Sequence, residues 1–155
     1  MGTEIERKFL VVGDDWRALG KGKPYCQGYL SSGEGATVRV RTAGNLGFLT
    51  IKGPTTGLRR NEYEYQIPYG DAQEMLATLC AGPLIEKTRY VVEFAGFIWE
   101  IDEFKGINEG LIVAEIELES PDQKFIRPHW IGREVSDDPR YRNASLVHNP
   151  YRAWK

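Results

Sequence analysis

Thr3-Glu4-Ile5-Glu6-Arg7-Lys8-Phe9-Leu10-Val11 is the stretch from which the rest of this chain can be read. At the strand period of two, Glu4, Glu6 and Lys8 share one face. Ile5, Phe9 and Val11 share the other, and Arg7 is the exception. Carboxylates on alternate residues of a strand stand about 7 Å apart. Beside an ammonium they are suited to hold a metal ion, but the same pattern suits a strand that shows its charges to water. The first strand alone leaves both readings open.

The later strands repeat the pattern. Thr37-Val38-Arg39-Val40-Arg41 alternates valine with arginine, and Leu49 and Ile51 oppose Thr50 and Lys52. In 60–67, Glu62, Glu64 and Gln66 oppose Tyr63, Tyr65 and Ile67. Lys87 and Arg89 share a face in 85–94. Glu100 and Asp102 oppose Trp99 and Ile101, and Glu115, Glu117 and Glu119 oppose Ile112, Ala114, Ile116 and Leu118. A further strand is expected at 25–30 and a turn at 31–35, where Ser, Gly and Glu cluster. A short helix is expected at 13–20, with Asp14 or Asp15 as cap and Gly20 as stop. The strongest helix signal is 71–80, with Ala72, Met75, Leu76 and Leu79 as its apolar stripe and Gly82-Pro83 after its end. Ser120-Pro121-Asp122 reads as a helix start, and 143–147 as a short helix in the tail.

Roughly eight strands joined mostly by short turns predict a meandering antiparallel sheet. Such a sheet can bury its apolar face under helices and expose its charges. Alternatively it can close into a barrel with the charges inside and a few short helices outside. Charged faces in water show little order, whereas here each strand tends to carry one sign, Arg-x-Arg and Lys-x-Arg standing beside Glu-x-Glu. Inside a barrel these charges must be paired or bound to ions, because each unpaired charge in a low-dielectric interior costs several kcal/mol. Such a lumen would take multivalent cations on its acids and a polyanion on its bases. The outward-facing Tyr63, Tyr65, Trp99 and Ile101 then need cover from helices or from a second subunit, which leaves a homodimer open.

Composition sets the outer limits. The 155 residues suit one domain with a real core, and 41% hydrophobic with 27% charged residues is a globular balance. A net charge of −2 offers no bulk attraction to nucleic acid or to anionic lipid, so neither is an expected partner. Cys26 and Cys80 have no metal spacing and read as reduced thiols. No apolar signal region or membrane-length run occurs, so a cytoplasmic location is expected and the Asn143-Ala144-Ser145 sequon is read as chance. His129 and His148 have no ligand spacing to each other. Arg140 and Arg142 could reach a polyanion at the mouth of such a barrel.

Glu4-Ile5-Glu6-Arg7-Lys8 resembles the ExExK signature of the CYTH superfamily, the triphosphate tunnel metalloenzymes. The resemblance continues through Arg39-x-Arg41, Thr50-x-Lys52, Glu62-x-Glu64, Lys87-x-Arg89, Asp102 and Glu115-x-Glu117 over most of the chain. ExExK alone is weak; the ordered series is specific. The resemblance implies one tunnel domain over residues 1–155, mainly β with some α, built as a closed eight-stranded antiparallel barrel. It also implies metal-dependent hydrolysis of a triphosphate, and the small bacterial members that act on inorganic tripolyphosphate look nearest. Glu4 and Glu6, with Glu115 or Glu117, resemble the ligands of Mg²⁺ or Mn²⁺. Arg39, Arg41, Lys52, Lys87 and Arg89 resemble the cradle of the polyanionic substrate. Lys8 and Tyr29 resemble a pair that helps to activate water, although Tyr29 also reads as barrel packing. Glu62, Glu64 and Asp102 resemble a second acidic wall that binds a second metal or orients the bases.

These roles are chemically coherent. Guanidinium forks bind phosphate through paired hydrogen bonds, ammonium groups act as point charges, and hard divalent cations take carboxylate and phosphate oxygens. Thiamine triphosphatase and class IV adenylate cyclase are relatives in the same chemistry. A binding module without catalysis would have no need of Glu4, Glu6, Glu115 and Glu117.

Overall fold

The computed structural model describes residues 2–32 and 35–154; Gly33 and Glu34 of the expected turn lie outside them. The strands are β1 (Gly2–Val11), β2 (Gly22–Ser31), β3 (Thr37–Ala43), β4 (Leu46–Lys52), β5 (Arg59–Ile67), β6 (Ala81–Phe94), β7 (Phe97–Phe104), β8 (Ile112–Glu117) and β9 (Ile131–Glu134). The α-helices are α1 (Tyr69–Thr78) and α2 (Asn143–His148).

All pairings are antiparallel, in the order β5-β4-β3-β2-β6-β7-β8-β1-β9, and β5 also pairs with β1. That last ladder closes eight strands into a barrel. Two meanders, β2 to β5 and β6 to β8, are joined edge to edge by β2–β6 and through β1, so the sheet is not one continuous meander. β1 is the closing strand. Glu6 to Leu10 pair with β8 on one edge. On the other edge Gly2 to Ile5 pair with β5, and Phe9 and Val11 pair with β9. Alternation does the rest: Glu4, Glu6 and Lys8 point into the lumen while Ile5 and Phe9 are buried outside.

The short β9 was not expected, and it resolves the exception in β1. Arg7 points outward, where its Nε donates to Glu134 Oε2 of β9 at 2.8 Å and its guanidinium lies 5.2 Å from the Phe125 ring.

Three apolar clusters cover the barrel. Over β1, β7 and β8, Trp99, Ile101, Ile116 and Phe9 pack with Trp130 and Phe125. The cover for Trp99 and Ile101 therefore comes from residues 118–130 together with Trp16 of the 3₁₀ turn Asp15–Leu19, not from an α-helix. Ser120-Pro121 there forms a turn, with Gln123 Oε1 accepting from the Glu119 amide, and no helix starts. Helix α1 lies on β3 and β4, with Ala72 and Leu76 against Val40. Gly47 permits that approach, since a Cβ there would stand 2.8 Å from Ala72 Cβ. The helix ends at Thr78, so Leu79 swings out and is 61% exposed, unlike its expected place in the stripe.

The third cluster seals one end of the barrel. Leu146 and Val147 of α2, with Tyr141 and Val135, pack on Tyr29, Ile85, Phe104 and Val113. Gly82-Pro83 lies inside β6, not in a loop. The β2–β6 register shifts there, Gln27 facing Ile85 but Tyr29 facing Ala81, and the bulge spares the proline a ladder bond. The expected helix at 13–20 is a 3₁₀ turn, Asp15–Leu19, and the Asp14 carboxylate accepts from Arg17 Nε at 2.9 Å instead of capping the backbone. No helix of the described residues is long and apolar enough to cross a membrane.

Candidate active site

The barrel encloses a cavity of about 670 Å³. Its walls are mostly segregated by charge, with Lys8 and Arg60 as bases on the acidic strands and Glu64 and Glu100 as acids beside the bases. Glu4 and Glu6 (β1), Glu62 (β5), and Glu115 and Glu117 (β8) form one side, and Arg39 and Arg41 (β3), Lys52 (β4), and Lys87 and Arg89 (β6) form the other. Residues 135–145 cap the sealed end, where Lys8 and Tyr29 also line the space. This clustering follows from register. Glu6 stands opposite Glu117 and Lys8 opposite Glu115, while Lys52 pairs with Glu62 and Arg89 with Asp102.

The bases are held in place by acids behind or beside them. Glu64 Oε2 accepts from Arg39 Nη2 at 3.4 Å, Arg41 Nη2 at 3.1 Å and Thr50 Oγ1 at 2.9 Å. Asp102 is 1% exposed and does not line the cavity. It accepts from Lys87 Nζ at 2.7 Å and from Arg89 Nε and Nη2 at 2.7 and 2.9 Å. Burial works against its ionisation, but Arg89 and Lys87 win and hold it well below the usual carboxylate range. Burial pulls Lys87 down to about 7 despite Asp102, with Arg89 and Arg41 adding to the effect. Burial, with Arg39 and Arg89 nearby, lowers Arg41 to about 10. The Nε atoms of Arg39 and Arg41 are buried without a partner, donors that a bound anion would satisfy.

The acids are strained in the opposite sense. Burial raises Glu4 to about 7 in spite of Lys52, which stands 3.4 Å from Glu4 Oε1 and 3.1 Å from Glu62 Oε2. Burial and the neighbouring Glu115 and Glu4 push Glu6 well up. Glu115 resists its own burial and is drawn to about 2 by Lys8 and by a hydrogen bond with Glu6. Burial and repulsion thus favour the protonated form of Glu6, while Lys8 favours the ionised form of Glu115. Among the described residues no three acidic, His or Cys side chains form a ready-made metal cage. The donor set nevertheless fits a hard divalent cation: paired carboxylates, desolvated and repelling one another, facing a polyanion cradle whose oxygens would complete the shell.

Several lining residues went unread in the sequence. Arg60 and Glu100 share the inward parity of Glu62 and Asp102, so alternation alone could have found them. Glu100 stands 3.2 Å from Arg89 Nη1. Tyr25 lies under Arg41 and Arg89, at 5.0 and 4.9 Å from its ring centre. Arg142, expected at the mouth, does line the cavity, and Asn143 beside it reaches in from the tail, a placement no local signal could give. Arg140 instead pairs at 2.8 Å with Asp138, a half-buried residue at the cavity wall, and does not line the cavity itself.

A closed barrel with opposed acid and base walls defines a triphosphate tunnel. The CYTH domain model matches residues 2–151, and the chain belongs to that family. An inorganic triphosphatase of Acetivibrio thermocellus is 54% identical over 155 residues, all of this chain and 99% of the relative. One from Nitrosomonas europaea is 41% identical over 149 residues, 94% of this chain and 97% of the relative. The crystal structure of the inorganic triphosphatase NE1496 matches with a TM-score of 0.68 at 38% identity, over 95% of both chains.

Proposed function

We propose that this chain hydrolyses inorganic tripolyphosphate to pyrophosphate and phosphate inside the barrel, and does so with Mg²⁺ or Mn²⁺. The observation that carries the reading is the segregation of charge within one capped cavity. A packed barrel with self-paired charges would need no 670 Å³ of space. The relatives at 54% and 41% identity, both inorganic triphosphatases, support it.

In this reading Arg39, Arg41, Lys52, Lys87 and Arg89 hold the phosphate chain. Glu64 and Asp102 fix the guanidinium forks before substrate arrives, so little ordering remains to be done on binding. Glu4 and Glu6, with Glu115 or Glu117, hold the divalent cation, which when bound neutralises phosphate oxygens and acidifies water. Glu62 keeps Lys52 beside the acids. Lys8 and Tyr29 face the phosphate nearest the sealed end. Tripolyphosphate ends in a phosphate on both sides, so the cap of residues 135–145 leaves it room that a bulky substituent would lack.

The test is phosphate release from tripolyphosphate, ATP and thiamine triphosphate, each with Mg²⁺, Mn²⁺ or EDTA. Fast release from tripolyphosphate alone, abolished by EDTA, is expected. A preference for ATP or thiamine triphosphate would reassign the substrate. Silence on all three with tight tripolyphosphate binding would make the chain a binding module.

A further inference from the structure

Tyr29, Gln27, Asn143, Lys87 and Asp102 form one chain of contacts at the sealed end, and its directions can be worked out from donor chemistry. As an ammonium, the form that its ion pair with Asp102 favours, Lys87 only donates. Lys87 Nζ donates to Asp102 Oδ2 at 2.7 Å and to Asn143 Oδ1 at 3.1 Å. The Asn143 amide must therefore turn its oxygen toward Lys87. That oxygen also meets Gln27 at 3.3 Å, so Gln27 must present its NH₂ group. The same Nε2 reaches the Tyr29 hydroxyl at 3.0 Å. An amide N–H has no lone pair to offer, so the tyrosine oxygen accepts and its proton points elsewhere. Among the described residues nothing receives it, and Tyr29 lines the cavity.

Gln27 is fully buried, and its Oε1 has no partner. A leucine or methionine would fill the same space without leaving a carbonyl unsatisfied, so packing does not account for an amide there. What the amide does is orient its neighbour. We propose that Gln27 and Asn143 are positioning residues that turn the Tyr29 hydroxyl proton into the lumen, making Tyr29 a hydrogen-bond donor to a phosphate oxygen of the bound tripolyphosphate. The proposal rests on the function given above. It assigns Tyr29 to anion binding and leaves the uptake of the water proton to another group. It also gives the tail a part in the site, because Asn143 opens α2 and lines the cavity.

A double-mutant cycle tests it, with Gln27→Met chosen to keep volume and remove the amide. Tripolyphosphate hydrolysis is measured for wild type, Gln27→Met, Tyr29→Phe and the double variant, with thermal unfolding of each to establish folding. A lost hydrogen bond to a charged oxygen lowers kcat/KM by about 10- to 100-fold, which is the effect expected of Tyr29→Phe. Gln27→Met is expected to lower it by about 3- to 10-fold beside Tyr29, and by less than about 2-fold when Tyr29→Phe is already present, as coupled residues behave. Asn143→Ala is expected to show the same coupling and serves if Gln27→Met does not fold. An equal loss in both tyrosine backgrounds would overturn the proposal and mark Gln27 as packing. Wild-type silence on tripolyphosphate would refute the function instead. The same cycle is then read from the tripolyphosphate Kd by calorimetry in EDTA, where absence of coupling refutes the positioning role independently.

Discussion

Glu4 and Glu6 are costly residues to bury side by side, and their cost is the clearest residue-level statement of function. Desolvation raises both, with repulsion from Glu62 and Glu115 on Glu4 and from Glu115 and Glu4 on Glu6, a cost that a bound cation would relieve. Glu4→Gln or Glu6→Gln is expected to lower metal-dependent kcat by at least about 100-fold, the scale of losing one preorganised electrostatic contact, without lowering the unfolding midpoint. Retained activity in either variant would remove that residue from the metal site. Arg41→Ala should raise KM for tripolyphosphate, lower kcat, or both; unchanged kinetics would take it out of the cradle.

Asp102 makes the opposite case, an acid that stabilises because it is surrounded by cations. Its folded-state carboxyl titrates below its unfolded value of about 3.9, so its contribution is fully present above about pH 5 and is lost as pH falls. Asp102→Asn strands Lys87 and Arg89 and is expected to cost about 3–5 kcal/mol at neutral pH. Asparagine does not titrate, so the stability gap to wild type should narrow as denaturation is measured from pH 5 down toward pH 3. A gap independent of pH would show that the ion cluster is not what the substitution removes.

At the scale of elements, the apolar exterior and the charged interior are held by different devices. α1 and the loop of residues 118–130 cover outer faces, whereas α2 stoppers the end. Leu146 is fully buried in that stopper. Leu146→Ala is expected to cost about 2–4 kcal/mol through lost burial and a residual cavity. Because α2 also carries Asn143, the variant should lose activity at temperatures below its unfolding midpoint, and parallel loss of activity and fold would argue that the cap does not loosen independently. β9 is the element that pattern reading missed. Four residues with only partial burial give too short a window for periodicity, and the strand exists because β5 leaves the edge of β1 where β9 arrives.

At the scale of the whole molecule, bases and acids of nearly balanced number are sorted to opposite sides of one space, and the net charge of −2 hides that sorting. Tripolyphosphate and a divalent cation should therefore stabilise the fold together. At about 100 times Kd, binding adds about 2.7 kcal/mol, or a rise of roughly 5–10 °C for a chain of this size. A melt unmoved by the pair would mean that the cavity does not bind it.

Strand alternation fixed which side chains share a face, because the period of two is local and steric. Glu4, Glu6, Arg39, Arg41, Lys52, Lys87 and Arg89 could thus be placed on common faces from the sequence alone, and their resemblance to a known series could be seen there. Which face closes inward depends on the β5–β1 ladder, a pairing of residues more than fifty positions apart that no local pattern encodes. The sorting of Asp102 away from the cavity, the cap on the tunnel, and the Asn143–Gln27–Tyr29 contacts likewise depend on segments distant in the chain. They arise from packing and from the need of every buried donor and charge for a partner, and those demands are settled only when the whole barrel has closed.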